Sequence, residues 1–547
     1  MRVTEQIDAL TSMGANPVQY LVVPRFLSCL LLIPSLTIIA VFMGVVGGAF
    51  YCVWFLGIDY HHYRSNAQRF VENWDLFYGV VKSILTVVTT AVLGLTGCAV
   101  GPNYRRPAVP APEQFRAAPP QENSAASIAD SKWFDLFADP VLKQAVETAL
   151  GQNFDLRAAA ERVLQALERA GIQRANLFPF FDTQSTWNAT RASTLGSFPF
   201  IQENTSLQYA YTQLGLGASW ELDVWGRLRR LNESARAQYF AAEESRRDVR
   251  VSIIAEVMSA YFTLLEQDLE LEIGRKTREA ASEGLRLTRL RRDRGAASGL
   301  DVRQAEQLFY LATAQIASAE RAIGQTENAL SLLLGKAPDG FARGKTLEET
   351  ERPAVLPPGL PSTLLARRPD IRQAEQQLIS ANAEIGAARA QYFPQLSLTA
   401  FLGGQSRALG ELFGDPARLV TVAPVSVLPI FRAGQIRSNV RLTEAQQRES
   451  LINYQRTIYS ALRDVSDALI ANERTREQLA QQELLVTALS ESVRIAKLRY
   501  EGGLDSYLQV LDAQRNLFEG ELARAQLRLL ELQSVVRLYR SLGGGWQ

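Results

Sequence analysis

Apolar positions near the middle of the chain recur at three- and four-residue steps. Ile254, Val257, Met258, Tyr261, Leu264, Leu265, Leu269 and Ile273 mark one face of a helix. No proline interrupts the run from Gly226 to Arg294. The spacing therefore predicts one continuous helix of roughly 100 Å at 1.5 Å per residue. A similar proline-free run extends from Gly434 to Gly502. Most globular helices are far shorter. A rod with a single apolar stripe needs partner helices to cover it.

A different period separates these runs. From Leu214 to Val224 every second residue is apolar, and Gly, Ser, Glu and Asp fill the places between. That is a strand with one apolar face and one polar or small face. Gln395 to Leu402 alternates in the same way, with Leu396, Leu398, Ala400 and Leu402 on one side. Phe181–Arg191 and Val420–Ile430 are weaker candidates, and the loops fall near 194–206 and 403–419. Each half thus supplies two strands. Four strands cannot close a barrel, and open edges are not tolerated in lipid. If these strands face lipid, several chains must share one barrel, and three chains give twelve strands. A soluble helical protein with two exposed hairpins is the alternative on these residues alone.

The halves repeat one another. Leu290–Ala305 is answered without a gap by Leu498–Ala513, 208 residues downstream, with Gly295 matching Gly503 and Leu300 matching Leu508. Asp155-Leu156-Arg157 and Phe178-Pro179 are echoed by Asp370-Ile371-Arg372 and Phe393-Pro394. A large unit has been duplicated. Gly295 and Gly503 read as the residues that turn the chain at the ends of the long helices.

Composition narrows the chemistry. The only histidines are His61 and His62, and the only cysteines are Cys29, Cys52 and Cys98. From Ala99 to Gln547 there is neither, which removes Cys/His zinc sites, Ser-His and Cys-His nucleophile pairs and disulfides from that region. A net charge of +1 gives no nucleic-acid footprint.

Two segments lack charge. Phe26–Ile58 is long enough for one tilted transmembrane helix, with Pro34, Gly44, Gly47 and Gly48 breaking it toward a partial second. The other follows Lys82 and ends in Leu95-Thr96-Gly97-Cys98. A basic residue, a short apolar run and small residues before a cleavage point form a secretory signal. The terminal Cys98 resembles the lipobox cysteine of bacterial lipoproteins, so a covalent lipid is expected there and no other cofactor. Ala99 after it implies export to the outer membrane. A signal sits at a chain start, yet about eighty residues precede this one. Their text, from Met1-Arg2-Val3-Thr4-Glu5-Gln6 through Tyr20-Leu21-Val22-Val23-Pro24-Arg25, resembles part of the MlaE-like permeases of lipid-transporting ABC systems. The expected division is a permease-like transmembrane fragment over 1–83 (a fusion or a mis-called start), a signal over 84–97 and a lipidated tether over 98–130. A first repeat follows over 131–340, a linker over 341–360 and a second repeat over 361–547.

Several phrases in order carry a second resemblance: Gly101-Pro102-Asn103-Tyr104-Arg105-Arg106-Pro107, Trp220-Glu221-Leu222-Asp223-Val224-Trp225-Gly226-Arg227, and Leu360-Pro361-Ser362 with Arg367-Arg368-Pro369-Asp370. With them, Cys98–Gln547 resembles the outer membrane factor family, in the NodT-like lipoprotein branch that serves RND-type efflux pumps. The resemblance implies a mainly α fold with a transmembrane β part. Three chains share a twelve-stranded barrel, and long helices form a coiled-coil tube through the periplasm. It implies a homotrimer inserted in outer-membrane lipid, whose tip meets a periplasmic adaptor and an inner-membrane RND pump. It implies passive conduction and no catalysis. The family's closed tip maps onto Leu508 and Asp512, four residues apart on one helix face, with Tyr500 at a position linked to the closed state. Three-fold symmetry would give a ring of leucines and a ring of carboxylates. Asp505 stands where some relatives carry Arg, which puts a salt-bridged latch there in doubt. Two other functions stay open: a permease-related lipid-transport component, suggested by residues 1–83, and a periplasmic coiled-coil adaptor.

Overall fold

A computed structural model describes residues 23–70, 99–110, 112, 114–116, 127–130, 136–191, 208–351 and 357–545. Cys98, the signal over 84–97 and the loop near 194–206 lie outside the described residues. The chain forms two compact units. One comprises Met1–Gly101, Asn176–Arg230 and Gly386–Ile436; the other comprises Pro102–Ala175, Leu231–Ile385 and Arg437–Gln547.

The first unit holds a four-stranded antiparallel sheet, β1 (Phe180–Arg191), β2 (Gln208–Leu222), β3 (Gln395–Ser406) and β4 (Arg418–Val427), in the order β1-β2-β3-β4. Each hairpin pairs internally, and β2–β3 joins the two halves through Leu216 opposite Leu402 and Ala218 opposite Ala400. Directly opposed residues share a face. One face therefore carries the rows Phe181/Ala218/Ala400/Val422 and Thr183/Leu216/Leu402/Val420. The other carries Asp182, Gln184, Gly215, Gly217, Thr399 and Thr421 in its rows, with Phe180, Phe401 and Leu419 as large apolar members. The apolar face is bare: Phe181 is 76% exposed and Val422 63%. The alternation predicted strands running to Val224 and Ile430. They stop instead at Leu222 and Val427, because Asp223 leaves the ladder to accept from the N–H groups of Leu228 and Arg229 at the start of the next helix, while Pro429 has no N–H to donate.

The same unit contains α1 (Val23–Trp54) and α2 (Tyr60–Phe70). A single helix runs through Pro34, Gly44, Gly47 and Gly48, so the predicted break does not occur. Tyr63 Oη donates to the carbonyl of Val45 at 3.0 Å, tying α2 back to α1. Among the described residues no helix is long and apolar enough to cross a membrane, and the span predicted over Phe26–Ile58 remains an expectation.

The second unit is helical. Its elements are α3 (Pro140–Gln152), α4 (Phe154–Ala175), α5 (Arg227–Asp293), α6 (Gly299–Leu333), α7 (Pro361–Arg367), α8 (Pro369–Ala390), α9 (Gln435–Glu501) and α10 (Tyr507–Ser541); α5, α8 and α9 share residues with the first unit. The predicted rods are present: α5 and α9 are 67 residues each. Duplication is written into the backbone. α5/α9 and α6/α10 are equal in length and offset by 208 residues, whereas α4/α8 and β1/β3 are offset by 215. The seven-residue difference is absorbed between the end of the first strand of each hairpin and the following long helix. Side chains change while the linkage is kept. In the first repeat Asn153 Nδ2 donates to the Leu333 carbonyl at 2.9 Å; at the matching place Arg368 Nη1 donates to the Ser541 carbonyl at 3.0 Å.

The main core of this unit gathers Tyr261, Phe262 and Met258 from α5, Ile371 and Leu378 from α8, Tyr454 and Ile458 from α9, and Leu532 and Val535 from α10. The face marked from Ile254 is the one buried here as far as Leu269, while Ile273 packs in a separate cluster with Phe518 and Ala525 of α10. Burying a Leu or Phe side chain contributes about 1.5–3 kcal/mol, so this layer fixes the helices against one another. A smaller core sits at the far end of α5, made by Ala281, Leu285, Val302, Ala305, Leu308 and Leu511.

Candidate channel gate at the helical tips

The two turns that reverse the chain are built alike. α5 ends with Gly295 N–H donating to the Arg292 carbonyl at 2.8 Å and Ala296 N–H to the Arg291 carbonyl at 2.8 Å. α9 ends with Gly503 N–H donating to Tyr500 at 3.0 Å and Leu504 N–H to Arg499 at 2.8 Å. These are the paired bonds of a Schellman motif, which satisfies two orphan carbonyls and requires a left-handed residue. Gly295 has φ 73° and Gly503 φ 71°. Space does not demand glycine, since an added Cβ would meet nothing within 4 Å at either place. The backbone angle does.

After the turns the copies diverge. Ser298 caps α6: its Oγ accepts from Asp301 N–H at 3.2 Å, and Asp301 Oδ2 accepts from Ser298 N–H at 2.7 Å, a full capping box. Ser506 at the start of α10 makes no side-chain cap bond. Leu508 and Asp512 follow one turn apart on α10. Leu508 is 46% exposed. Asp512 is exposed as well, accepting from Arg515 Nη2 at 2.7 Å. Leu300, the counterpart of Leu508, is also exposed. The apolar side chain and the carboxylate thus lie together on the surface of the tip, on the helix without a capped start.

Tyr500 sits on the last turn of α9. Its ring centroid is 5.0 Å from that of Tyr507, and the Arg291 guanidinium carbon lies 4.4 Å from its centroid. A cation over a tyrosine face is attractive, so the end of α5 is held to the end of α9. Asp505 does form an ion pair, with Arg499 Nε at 2.5 Å. Both belong to the α9–α10 turn, so the pair braces that turn and latches no other helix; the Arg499 hydrogen bond holds the Asp505 carboxyl below its usual range. Sequence reasoning singled out Tyr500 and could mark Tyr507 as different from its counterpart Gly299, but it gave no role to Arg291 and did not foresee the contact between the two tyrosines. The signal available was the change from Gly299 to Tyr507 between otherwise matching copies.

The first unit shows how the chain begins after Cys98. Val100 N–H donates to the Trp225 carbonyl at 3.0 Å, and Ala99 packs on Gly226, where an added Cβ would stand 2.7 Å from its own. Trp225 in turn stacks on Phe393 at 4.7 Å and donates from Nε1 to the Pro394 carbonyl at 2.8 Å. The residue next to Cys98 is therefore fastened beside the ends of β2 and β3.

Known proteins share this arrangement. The outer membrane efflux protein model matches residues 145–336 and 360–544, one block per repeat. The toluene efflux pump outer membrane protein TtgC of Pseudomonas putida is 38% identical over 471 residues, covering 85% of this chain and 96% of the relative. The cation efflux system protein CusC of Escherichia coli is 33% identical over 460 residues, covering 83% and 97%. Among solved structures, the outer-membrane channel OprN has a TM-score of 0.76 at 31% identity, covering 82% of this chain and all of that one. The open-state MtrE channel of Neisseria gonorrhoeae has 0.73 at 32%, covering 82% and 99%. A permease MlaE model matches residues 1–112, extending beyond the boundary expected near residue 83. The apolar sheet face, the paired rods, the tip turns and these matches agree: the chain belongs to the outer membrane efflux protein family and is an outer-membrane efflux channel component.

Proposed function

We propose that three copies of this chain form the passive exit duct of a tripartite pump, closed at its tip by rings of Leu508 and Asp512. The observation that carries this is the pair itself: an exposed leucine and an exposed carboxylate one turn apart, directly after a tip turn. A leucine ring excludes water by dewetting, and a carboxylate ring favours cations. Tyr500, clamped under Arg291, holds the α5 and α9 ends together when the tip is closed. A periplasmic adaptor engages the Gly295 and Gly503 turns, and an RND-type pump supplies the energy, so this component catalyses nothing. The sheet supports the trimer. It has two open edges, β1 and β4, and a bare apolar face, and closure with neighbouring copies is what lipid requires. Relatives named for toluene and cation efflux differ in cargo, which supports a duct that leaves selectivity largely to the pump. Cys98 carries the lipid, and the fastening of its neighbour Ala99 beside β2 and β3 supports an anchor at that end of the sheet. The test is single-channel conductance in planar bilayers. Asp512→Ala is expected to raise the leak of the resting trimer several-fold and to reduce its cation preference. An unchanged trace removes Asp512 from the gate.

A further inference from the structure

The direction of Leu508 and Asp512 depends on how the first turn of α10 is held, and the capping box that holds α6 is absent there. Asp301 is matched by Gln509, so the reciprocal bond of the first copy is lost. Tyr507, where the first copy has Gly299, occupies this place. Its ring packs against the tip core and leans on Tyr500. Its hydroxyl reaches across to α5. A Cβ on Gly284 would stand 2.1 Å from that hydroxyl oxygen and 3.4 Å from the ring carbon behind it. Thr288, one turn along and almost wholly buried, lies within hydrogen-bonding reach of the same hydroxyl while its Oγ1 donates to the Gly284 carbonyl at 2.8 Å. The corresponding positions on α9 are Ser492 and Ala496, and the residue that would face them is Gly299. There is a knob and a hole on one side of the repeat and neither on the other. Burial pushes the Tyr507 hydroxyl above its ordinary range, so it stays neutral throughout the physiological range.

We propose that Tyr507 is the positioning residue of the gate: its hydroxyl, seated over Gly284 beside Thr288, fixes the rotation of the first turn of α10 and hence where Leu508 and Asp512 point. This rests on the reading of those two residues as the gate, and the geometry supplies a test that separates the two. In the full-length trimer, Gly284→Ala places a methyl where the hydroxyl sits and must unseat it. Amide exchange over 507–512 should quicken about fivefold, the change that goes with losing one buried hydrogen bond, and the leak conductance should rise several-fold. Tyr507→Phe alone should give a smaller effect in the same direction. The double variant Gly284→Ala/Tyr507→Phe leaves only the 3.4 Å ring contact, which is ordinary packing, and should bring exchange and conductance back toward those of Tyr507→Phe alone. No response to Gly284→Ala in exchange, or equal damage in the single and double variants, overturns the proposal. If exchange responds with rescue and Asp512→Ala raises the leak, but Gly284→Ala leaves the leak unchanged, the seat does not position the gate and the proposal falls. If exchange responds with rescue and neither Gly284→Ala nor Asp512→Ala moves the leak, the seat is upheld and the gate reading falls.

Discussion

Glu266 and Glu270 stand one turn apart on α5, and the first is almost fully buried. Glu270 Oε2 accepts from Gln315 Nε2 of α6 at 3.3 Å. Desolvation by burial, then the charge of Glu270 and a hydrogen bond with it, push the Glu266 carboxyl up to about 8. Folded protein therefore keeps this proton at neutral pH, whereas the unfolded chain releases it near the ordinary 4.5. The folded form binds the extra proton between these values, so its contribution is complete below about 4.5 and is lost as pH rises through about 8. A melting temperature measured from pH 5 to pH 8.5 should fall across that window, by an amount corresponding to a few kcal/mol in order of magnitude. Glu266→Gln keeps a donor for Glu270 and should flatten the slope. A slope unaffected by the substitution would assign the titration elsewhere. The spacing of the two carboxylates is visible in the sequence, but their burial is not, since charged residues are seldom enclosed. The same limit hid the Tyr507 seat. Gly284 and Tyr507 are far apart in the chain and meet only once the register of α5 against α10 is fixed.

At the scale of elements, the long helices were legible because their signals are redundant: apolar periodicity, absence of proline, a glycine at each end and a second copy saying the same. Strand ends were less so. Alternation continues through Val224 while Asp223 has already turned to cap α5, so a side-chain pattern outlasts the ladder it implies. The starts of α6 and α10 at the tips give a sharper comparison. Ser298 caps α6 through a box, and Ser506 occupies the same place without capping. Ser298→Ala should therefore cost about 1 kcal/mol of local stability, seen as faster exchange at the amides of 299–303. Ser506→Ala should change exchange at 507–511 little, because no side-chain bond is lost. Equal effects at both starts would contradict the asymmetry on which the second copy's specialisation depends.

For the whole molecule, the strand count already pointed past the single chain, since four strands with two open edges cannot stand alone in lipid. The sequence also contains a conflict that the fold sharpens. Residues 1–112 match a permease model, whereas the outer-membrane relatives TtgC and CusC cover 85% and 83% of the chain, and the signal expected over 84–97, ahead of Cys98, falls inside the permease match. Residues Ala99 and Val100 are already packed against Gly226 and Trp225. A cut before Cys98 would leave the channel's first contacts intact and attach the lipid beside the sheet, whereas an uncut chain would keep α1 and α2 on an outer-membrane trimer. We expect the former. Mass spectrometry of the trimer purified from outer membranes should find peptides from residue 99 onward, none from α1 or α2, and a diacylated cysteine at the start. Labelled palmitate should enter the wild-type protein and not Cys98→Ser, which should retain the preceding segment and accumulate in the inner membrane. Recovery of α1 peptides in stoichiometric amount from the outer-membrane trimer would overturn processing at Cys98 and make the permease-like segment a working part of the channel.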